Sequence, residues 1–107
     1  MAEYRKIASV DDLAPGEMTM IELGGEYICL ANVDGIFYAI SDDCSHVGAS
    51  LSEGDLEGYI VTCPVHAGQF DIRSGKAVRR PPIEDVATYE VKVEGQDILI
   101  AKPEHIK

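Results

Sequence analysis

Cys44-Ser45-His46 and, after sixteen intervening residues, Cys63-Pro64-Val65-His66 are the segments that bear most directly on the fold and chemistry of this chain. They offer two thiolates and two imidazoles to a metal. One residue separates Cys44 from His46, whereas chelating pairs around a single tetrahedral zinc usually have two to four residues between them. Two neighbouring metal atoms suit this spacing better. We therefore predict that Cys44, His46, Cys63 and His66 hold one [2Fe–2S] cluster per chain, with sulfur ligands on one iron and histidines on the other.

A structural zinc ion bound by the same four residues is the main alternative. The tight Cys-x-His spacing argues against zinc, and so do the glycine-rich loops, which let backbone amides approach cluster sulfides. Two neutral imidazoles in place of two thiolates also leave the cluster with less negative charge, so that it accepts an electron more easily than a four-cysteine cluster. Zinc has no redox chemistry and would make the chain an interaction module.

The charge of the chain is strongly negative and unevenly distributed. Among its 107 residues 19 are acidic and nine are basic, for a formal charge of −10. From Ile7 to Ile72 there are twelve Asp or Glu and no Lys or Arg. Such a field repels nucleic acid and anionic membranes, so neither is expected as a partner. It favours a partner with a basic docking patch, although acidity that only keeps a small protein in solution is an alternative explanation.

The sequence contains no sign of export or of a membrane anchor. Its first residues are not followed by the apolar run of a signal peptide. No stretch approaches the ~18 apolar residues that span a bilayer. Three cysteines without an export signal argue against a disulfide framework. A soluble cytoplasmic protein of one domain is expected.

Short apolar runs bounded by turn residues dominate the chain, and no segment keeps a helical period over about ten residues. Asp34-Gly35 is a strong signal for a type I′ hairpin turn, and Gly24-Gly25 and Glu94-Gly95-Gln96-Asp97 resemble further hairpin connections. Val10–Ala14 is predicted to form one helical turn. The predicted strands are Tyr4–Ala8, Thr19–Leu23, Tyr27–Val33, Ile36–Ser41, Tyr59–Thr62, Gln69–Asp71, Thr88–Glu94 and Ile98–Ala101. The fold class predicted is all-β.

The chain divides into two kinds of sequence. Residues 1–41 and 84–107 have the pattern of antiparallel β structure with hairpins, whereas residues 42–83 are rich in Gly, Pro, Ser, Cys and His. We therefore predict a single domain, residues 1–107, in which a cluster-binding subdomain at about 42–83 is inserted into a β base domain. Functional residues on loops held by a β scaffold are a common arrangement.

The two cysteine–histidine segments resemble the ligand loops of Rieske iron–sulfur proteins. The flanking sequence strengthens this resemblance, which runs from about Val10 to Ala101 and includes Asp34-Gly35-Ile36-Phe37-Tyr38-Ala39-Ile40, Leu51-Ser52-Glu53-Gly54, Gly68-Gln69-Phe70-Asp71, Ser74-Gly75-Lys76 and Pro81-Pro82. It implies the Rieske fold, an antiparallel β-sandwich base with a small cluster-binding subdomain. It also implies that Cys44 and Cys63 bind the buried iron and that His46 and His66 bind the outer one. Pro81-Pro82 resembles the segment that shields the cluster.

Two differences separate this sequence from the high-potential Rieske proteins of respiratory complexes. Those proteins join their ligand loops by a disulfide, at positions that are Ala49 and Val65 here. They also place Ser and Tyr hydroxyls near the cluster, at positions that are Gly68 and Phe70 here. Fewer hydrogen bonds to sulfur stabilise the reduced form less, which lowers the reduction potential within the Rieske range. The pattern is similar to the ferredoxins of bacterial aromatic-ring-hydroxylating dioxygenase systems of the biphenyl, naphthalene or carbazole type.

The resemblance implies an electron carrier and not an enzyme. It would pass single electrons from a flavin-containing ferredoxin reductase to a terminal Rieske oxygenase, as a monomer that forms transient complexes. We find no Ser–His–Asp grouping, phosphate-binding glycine loop or mononuclear iron triad. A Rieske-like small subunit of an assimilatory nitrite reductase is the alternative, although such subunits often lack the ligands that this sequence retains.

Other residues that invite a functional interpretation have simpler explanations. Cys29 lies in an apolar run and is predicted to be a buried core thiol. Phe37 and Tyr38 are predicted to pack in the core and on a hairpin. Asp42 and Asp43 precede the first ligand loop, and their effect on the reduction potential depends on their exposure.

Overall fold

The computed structural model describes residues 4–42, 50–64, 68–79 and 85–101. In these ranges the chain forms antiparallel strands and two single-turn 3₁₀ helices, Val10–Asp12 and Leu51–Glu53, with no α-helix. The strands are β1 (Tyr4–Ser9), β2 (Met18–Leu23), β3 (Glu26–Val33), β4 (Ile36–Ser41), β5 (Asp55–Glu57), β6 (Ile60–Thr62), β7 (Gln69–Asp71), β8 (Ala77–Arg79), β9 (Thr88–Tyr89), β10 (Val91–Glu94) and β11 (Asp97–Ala101).

The strands belong to three sheets, with the orders β1-β11-β10, β2-β3-β4-β9 and β5-β6-β7-β8. The third sheet lies within the range predicted for the cluster-binding subdomain. The bounds of that subdomain stay a prediction. Among the described residues, none belongs to a helix with the length and apolarity needed to cross a bilayer.

Strand β3 is buried on both faces and links two hydrophobic cores. Because successive side chains of a strand point to opposite faces, Ile28 and Leu30 pack in one core with Ile98 and Ile100. Cys29, Ala31 and Val33 pack in the other core, together with Leu51, Val61, Cys63, Phe70 and Ile72. The second core therefore attaches the β5–β8 sheet to the base.

The predicted hairpins are confirmed. Asp34 and Gly35 have φ of +54° and +89°, as a type I′ turn requires, and they connect β3 to β4 with Val33 opposite Ile36. Gly24 and Gly25, with φ of +60° and +86°, connect β2 to β3 in the same way. Glu94 likewise lies opposite Asp97. The predicted helical turn is the 3₁₀ helix Val10–Asp12.

The strand predictions were incomplete in two respects. Strands β5 and β8 were missed because each has three residues and too short a pattern to detect. The predicted strand Thr88–Glu94 is divided at Glu90: β9 pairs with β4, whereas β10 pairs with β11 in another sheet. Which sheet each strand joins depends on partners elsewhere in the chain, so the local sequence around Glu90 does not predict it.

Candidate metal centre

Of the four predicted ligands, Cys63 lies within the described residues, and Cys44, His46 and His66 lie outside them. Cys63 directly follows β6 and is 2% exposed. It belongs to the same core as Val61 and Phe70. A thiolate at this position would be shielded from water on the protein side, as expected for a sulfur ligand of a buried iron.

Backbone pairing joins the described residues on either side of the predicted second ligand loop. The N–H of Cys63 donates a hydrogen bond of 2.8 Å to the carbonyl oxygen of Gly68. Thr62 and Gln69 are paired next to it on β6 and β7, and the Gln69 amide donates to the Thr62 hydroxyl at 3.2 Å. In the sequence, His66 falls between these paired ends.

Asp42, which follows the end of β4, lies just before the predicted first ligand loop and is hydrogen-bonded to residues that follow it. The N–H of Asp42 donates to the Tyr27 carbonyl at 2.9 Å, and the Asp42 carbonyl accepts from the Leu51 N–H at 2.7 Å. Its carboxylate accepts a 2.7 Å hydrogen bond from the Ser52 N–H and another from the Ser50 hydroxyl. Asp42 is 2% exposed. Asp42 and Ser50, which flank residues 43–49 in the sequence, are therefore held together.

Gly54, which follows the first predicted ligand loop in the sequence, packs against the residues on either side of Cys63. A Cβ added to Gly54 would lie 1.9 Å from the Thr62 carbonyl oxygen and 3.2 Å from Cδ of Pro64. Only glycine allows these backbones to approach so closely. The structure therefore brings the base of the Asp42 loop against the segment that precedes Cys63.

A third set of contacts joins described residues on either side of Pro81-Pro82; the two prolines themselves lie outside the described residues. The Val86 N–H donates to the Gly75 carbonyl at 2.8 Å, and the Asp85 carboxylate accepts from the Ala77 N–H at 2.9 Å. Gly75 has φ of +75°, and a Cβ there would lie 2.2 Å from the Val86 carbonyl oxygen. Both its conformation and its surroundings require glycine.

Cys29 is confirmed as a buried core thiol. It is fully buried, and its Sγ lies 3.6 Å from the sulfur of Met18. Burial, aided by the negative charge of Asp42, raises the pKa of Cys29 to about 12. Because a metal ligand must be a thiolate, Cys29 is unsuited to bind the cluster. Within the described ranges, no three His, Cys, Asp or Glu side chains group closely enough to hold a metal ion.

A polar–aromatic cluster that was not predicted from the sequence lies at the start of β6, at the end away from Cys63. The guanidinium of Arg73 lies 4.0 Å from the ring centre of Tyr59, and it pairs with Asp71 at 2.9 Å. The Tyr59 ring meets Tyr38 edge-on at 6.1 Å. Phe37 and Tyr38 pack against the two cores, which confirms their predicted structural role.

A family model matches the part of the chain that contains Asp42, Gly54 and Cys63. The model of the Rieske [2Fe-2S] domain matches residues 3–90. The chain belongs to the Rieske [2Fe–2S] family. The predicted family and fold are therefore confirmed, and the cofactor is a Rieske [2Fe–2S] cluster.

Similar proteins cover almost the whole chain. The ferredoxin component of biphenyl 2,3-dioxygenase from Rhodococcus jostii is 47% identical over 95 residues, or 89% of each protein. The ferredoxin of carbazole 1,9a-dioxygenase from Nocardioides aromaticivorans has a TM-score of 0.91 at 33% identity, covering 94% of this chain and 98% of that one. A complex of reduced oxygenase and oxidised ferredoxin in carbazole 1,9a-dioxygenase contains a chain with a TM-score of 0.89 at 30% identity, and 97% of each chain is covered.

The nitrite reductase alternative is weaker. A small subunit described as a putative NADH-dependent nitrite reductase from Mycobacterium tuberculosis has a TM-score of 0.86, covering 96% of this chain and 97% of that one. Its sequence identity is 22%, so this likeness shows the fold alone.

Proposed function

We propose that this chain is the ferredoxin component of an aromatic-ring dioxygenase system, an electron carrier that performs no catalysis itself. Curated relatives with this description are 38–48% identical to it over about nine tenths of its length. The structural observation that carries the proposal is the buried Cys63 at the closed base of a ligand loop. This burial supports Cys63 as a sulfur ligand that would reach the cluster from the interior of the β scaffold.

We assign Cys44 and Cys63 to the inner iron, and His46 and His66 to the outer iron. The burial of Cys63 supports its place on the inner side. Cys29, the remaining cysteine, is a neutral thiol within the core. When bound, the cluster supplies reversible storage of one electron. The chain itself excludes water from the protein side through the core residues around Cys63.

We propose two partners: a flavin-containing reductase that donates electrons and a terminal Rieske oxygenase that accepts them. The solved carbazole dioxygenase complex supports the second, because it pairs a ferredoxin with an oxygenase. The carrier must bind each in turn, which favours small and short-lived interfaces. We accordingly propose that the chain is a cytoplasmic monomer outside these encounters.

Exposed carboxylates next to Cys63 support docking by charge. Glu53, Asp55 and Glu57 are exposed on the 3₁₀ helix Leu51–Glu53 and on β5, an edge strand. Asp55 pairs with Thr62, the residue before Cys63. An acidic surface so close to the metal centre would guide a basic partner toward it.

Metal analysis and electron paramagnetic resonance of the dithionite-reduced protein test the cluster assignment. We expect about two irons and two acid-labile sulfides per chain, with an average g-value below that of an all-thiolate cluster because nitrogen ligands replace sulfur. One zinc without sulfide would refute the proposal and leave an interaction module. A stable complex with a large sirohaem protein would instead favour the nitrite reductase alternative.

A further inference from the structure

The environment of the Asp42 carboxylate is unusual for an acidic side chain. Asp42 is 2% exposed, and among the described residues it is one of two buried polar side chains, the other being Asn32. Removing a carboxylate from water is costly unless hydrogen bonds or a cation compensate. In the described ranges no ion pair involves Asp42, and its compensation comes from the Ser52 N–H and the Ser50 hydroxyl.

These hydrogen bonds join Asp42 to residues eight and ten positions further along the chain. Asp42 lies two residues before Cys44, and Ser50 lies four residues after His46. The Asp42 carbonyl also accepts from Leu51, and its N–H is bound to Tyr27 of β3. The Asp42 carboxylate therefore binds Ser50 and Ser52, while the Asp42 N–H is hydrogen-bonded to Tyr27 on β3.

Holding the ends of a loop lowers the entropy that its interior residues lose when they bind a ligand. We propose that Asp42 is a positioning residue for the metal centre: its buried carboxylate ties together both ends of the segment that contains Cys44 and His46, and so retains these ligands on the cluster. The inference rests on the ligand assignment proposed above. It adds a residue that contributes no atom to the metal.

The role of Asp42 as a tie can be separated from its negative charge. In Asp42→Asn, the amide oxygen still accepts from Ser52, and the Ser50 hydroxyl can turn to accept from the amide nitrogen. Asp42→Ala removes both contacts. If the hydrogen bonds of Asp42 retain the ligands, Asp42→Asn should hold iron as the wild type does, whereas Asp42→Ala should release it faster. If the charge is what matters, the two variants behave alike.

The experiment measures how fast the oxidised holoprotein releases iron to a chelator, under conditions in which circular dichroism shows it folded. For Asp42→Ala we expect release about tenfold faster than for the wild type, because hydrogen bonds to a charged group are lost. Ser50→Ala should give a smaller increase, and Asp42→Asn should stay within about twofold of wild type, since it keeps both contacts. The matched control is Asp11→Asn, which removes an exposed charge from the 3₁₀ helix Val10–Asp12 of the base and should leave the rate unchanged.

Electron paramagnetic resonance of the reduced variants provides a second readout. A loosened ligand loop should broaden or shift the g-values of Asp42→Ala and leave those of Asp42→Asn in place. Three outcomes would overturn the inference. Asp42→Ala could release iron at the wild-type rate, or Asp42→Ala and Asp42→Asn could release it at equal rates. The third is iron release that follows only the global unfolding of each variant in urea. If Asp42→Ala does not fold, the test uses Ser50→Ala, and iron release at the wild-type rate from that variant would reject the proposed role of Asp42. A wild-type protein without iron would instead refute the ligand assignment itself.

Discussion

Gly54 lies so close to Thr62 that an added Cβ would be 1.9 Å from the Thr62 carbonyl oxygen. This contact places Gly54, which follows the predicted first ligand loop, against the end of β6 that leads into Cys63. It joins the two loop bases through backbone atoms, and a side chain at position 54 would push them apart.

Gly54→Ala should therefore damage the metal centre more than its loss of stability alone would explain. Overpacking of this kind typically costs about 1–3 kcal/mol, and we expect reduced iron content per folded chain. Gly95→Ala is the matched control, because Gly95 has φ of +61° with open space around it and should lose about 1–2 kcal/mol from backbone strain. Full iron content in both variants, measured beside urea unfolding, would contradict the prediction.

The two described cysteines should respond oppositely to substitution. Cys63→Ala should abolish the cluster, since one iron loses a ligand, whereas Cys29→Ala should keep the iron and sulfide of the wild type. Because burial raises the pKa of Cys29 to about 12, this thiol should also resist alkylation in the folded protein at pH 8. Iron loss from Cys29→Ala, or rapid alkylation of Cys29 before unfolding, would be evidence against this division of roles.

The pair of Asp71 and Arg73 predicts a dependence of stability on pH. Hydrogen bonds from the Arg73 guanidinium lower the pKa of Asp71 from its ordinary value, and outweigh the opposite effect of partial burial. The pair therefore stabilises the fold above about pH 4, near the ordinary pKa of aspartate, and this contribution is lost as the pH falls through the lowered pKa.

Urea unfolding of Arg73→Gln and of the wild type between pH 2 and 7 measures this effect. The variant should be less stable at neutral pH, and the two proteins should converge in acid. A difference that persists at the lowest pH would show that Arg73 acts by packing on Tyr59, with the ion pair unimportant. Asp71→Asn provides the control, since it removes the titrating group.

The exposed carboxylates of β5 predict electrostatic guidance of the partner. The double substitution Asp55→Lys and Glu57→Lys should lower the rate of electron transfer from the reductase by about tenfold at low salt, because steering by charge accelerates association by that order or more. Asp11→Lys, in the 3₁₀ helix Val10–Asp12 of the base, is the matched control and should have a smaller effect. A wild-type rate that is insensitive to ionic strength would remove the basis for the idea.

Features set by neighbours along the chain could be predicted from the sequence alone. The Asp34-Gly35 turn needs two consecutive residues with positive φ, and this dipeptide adopts that conformation readily. The burial of Cys29 follows from its apolar neighbours. The family was evident because the cluster motifs consist of closely spaced residues. The assignment of the four ligands stays a prediction, with Cys63 alone among the described residues.

Contacts between residues far apart in the chain required the tertiary structure. The strands β5 and β8 have three residues each and are stabilised by pairing within a sheet, so their own sequence does not mark them. Glu90 separates strands of two sheets for the same reason. The Asp42 hydrogen bonds depend on where Ser50 and Ser52 lie relative to Asp42, and the approach of Gly54 to Thr62 depends on how two segments meet. Hydrogen bonding and close packing act on distances in space and not on distance along the sequence.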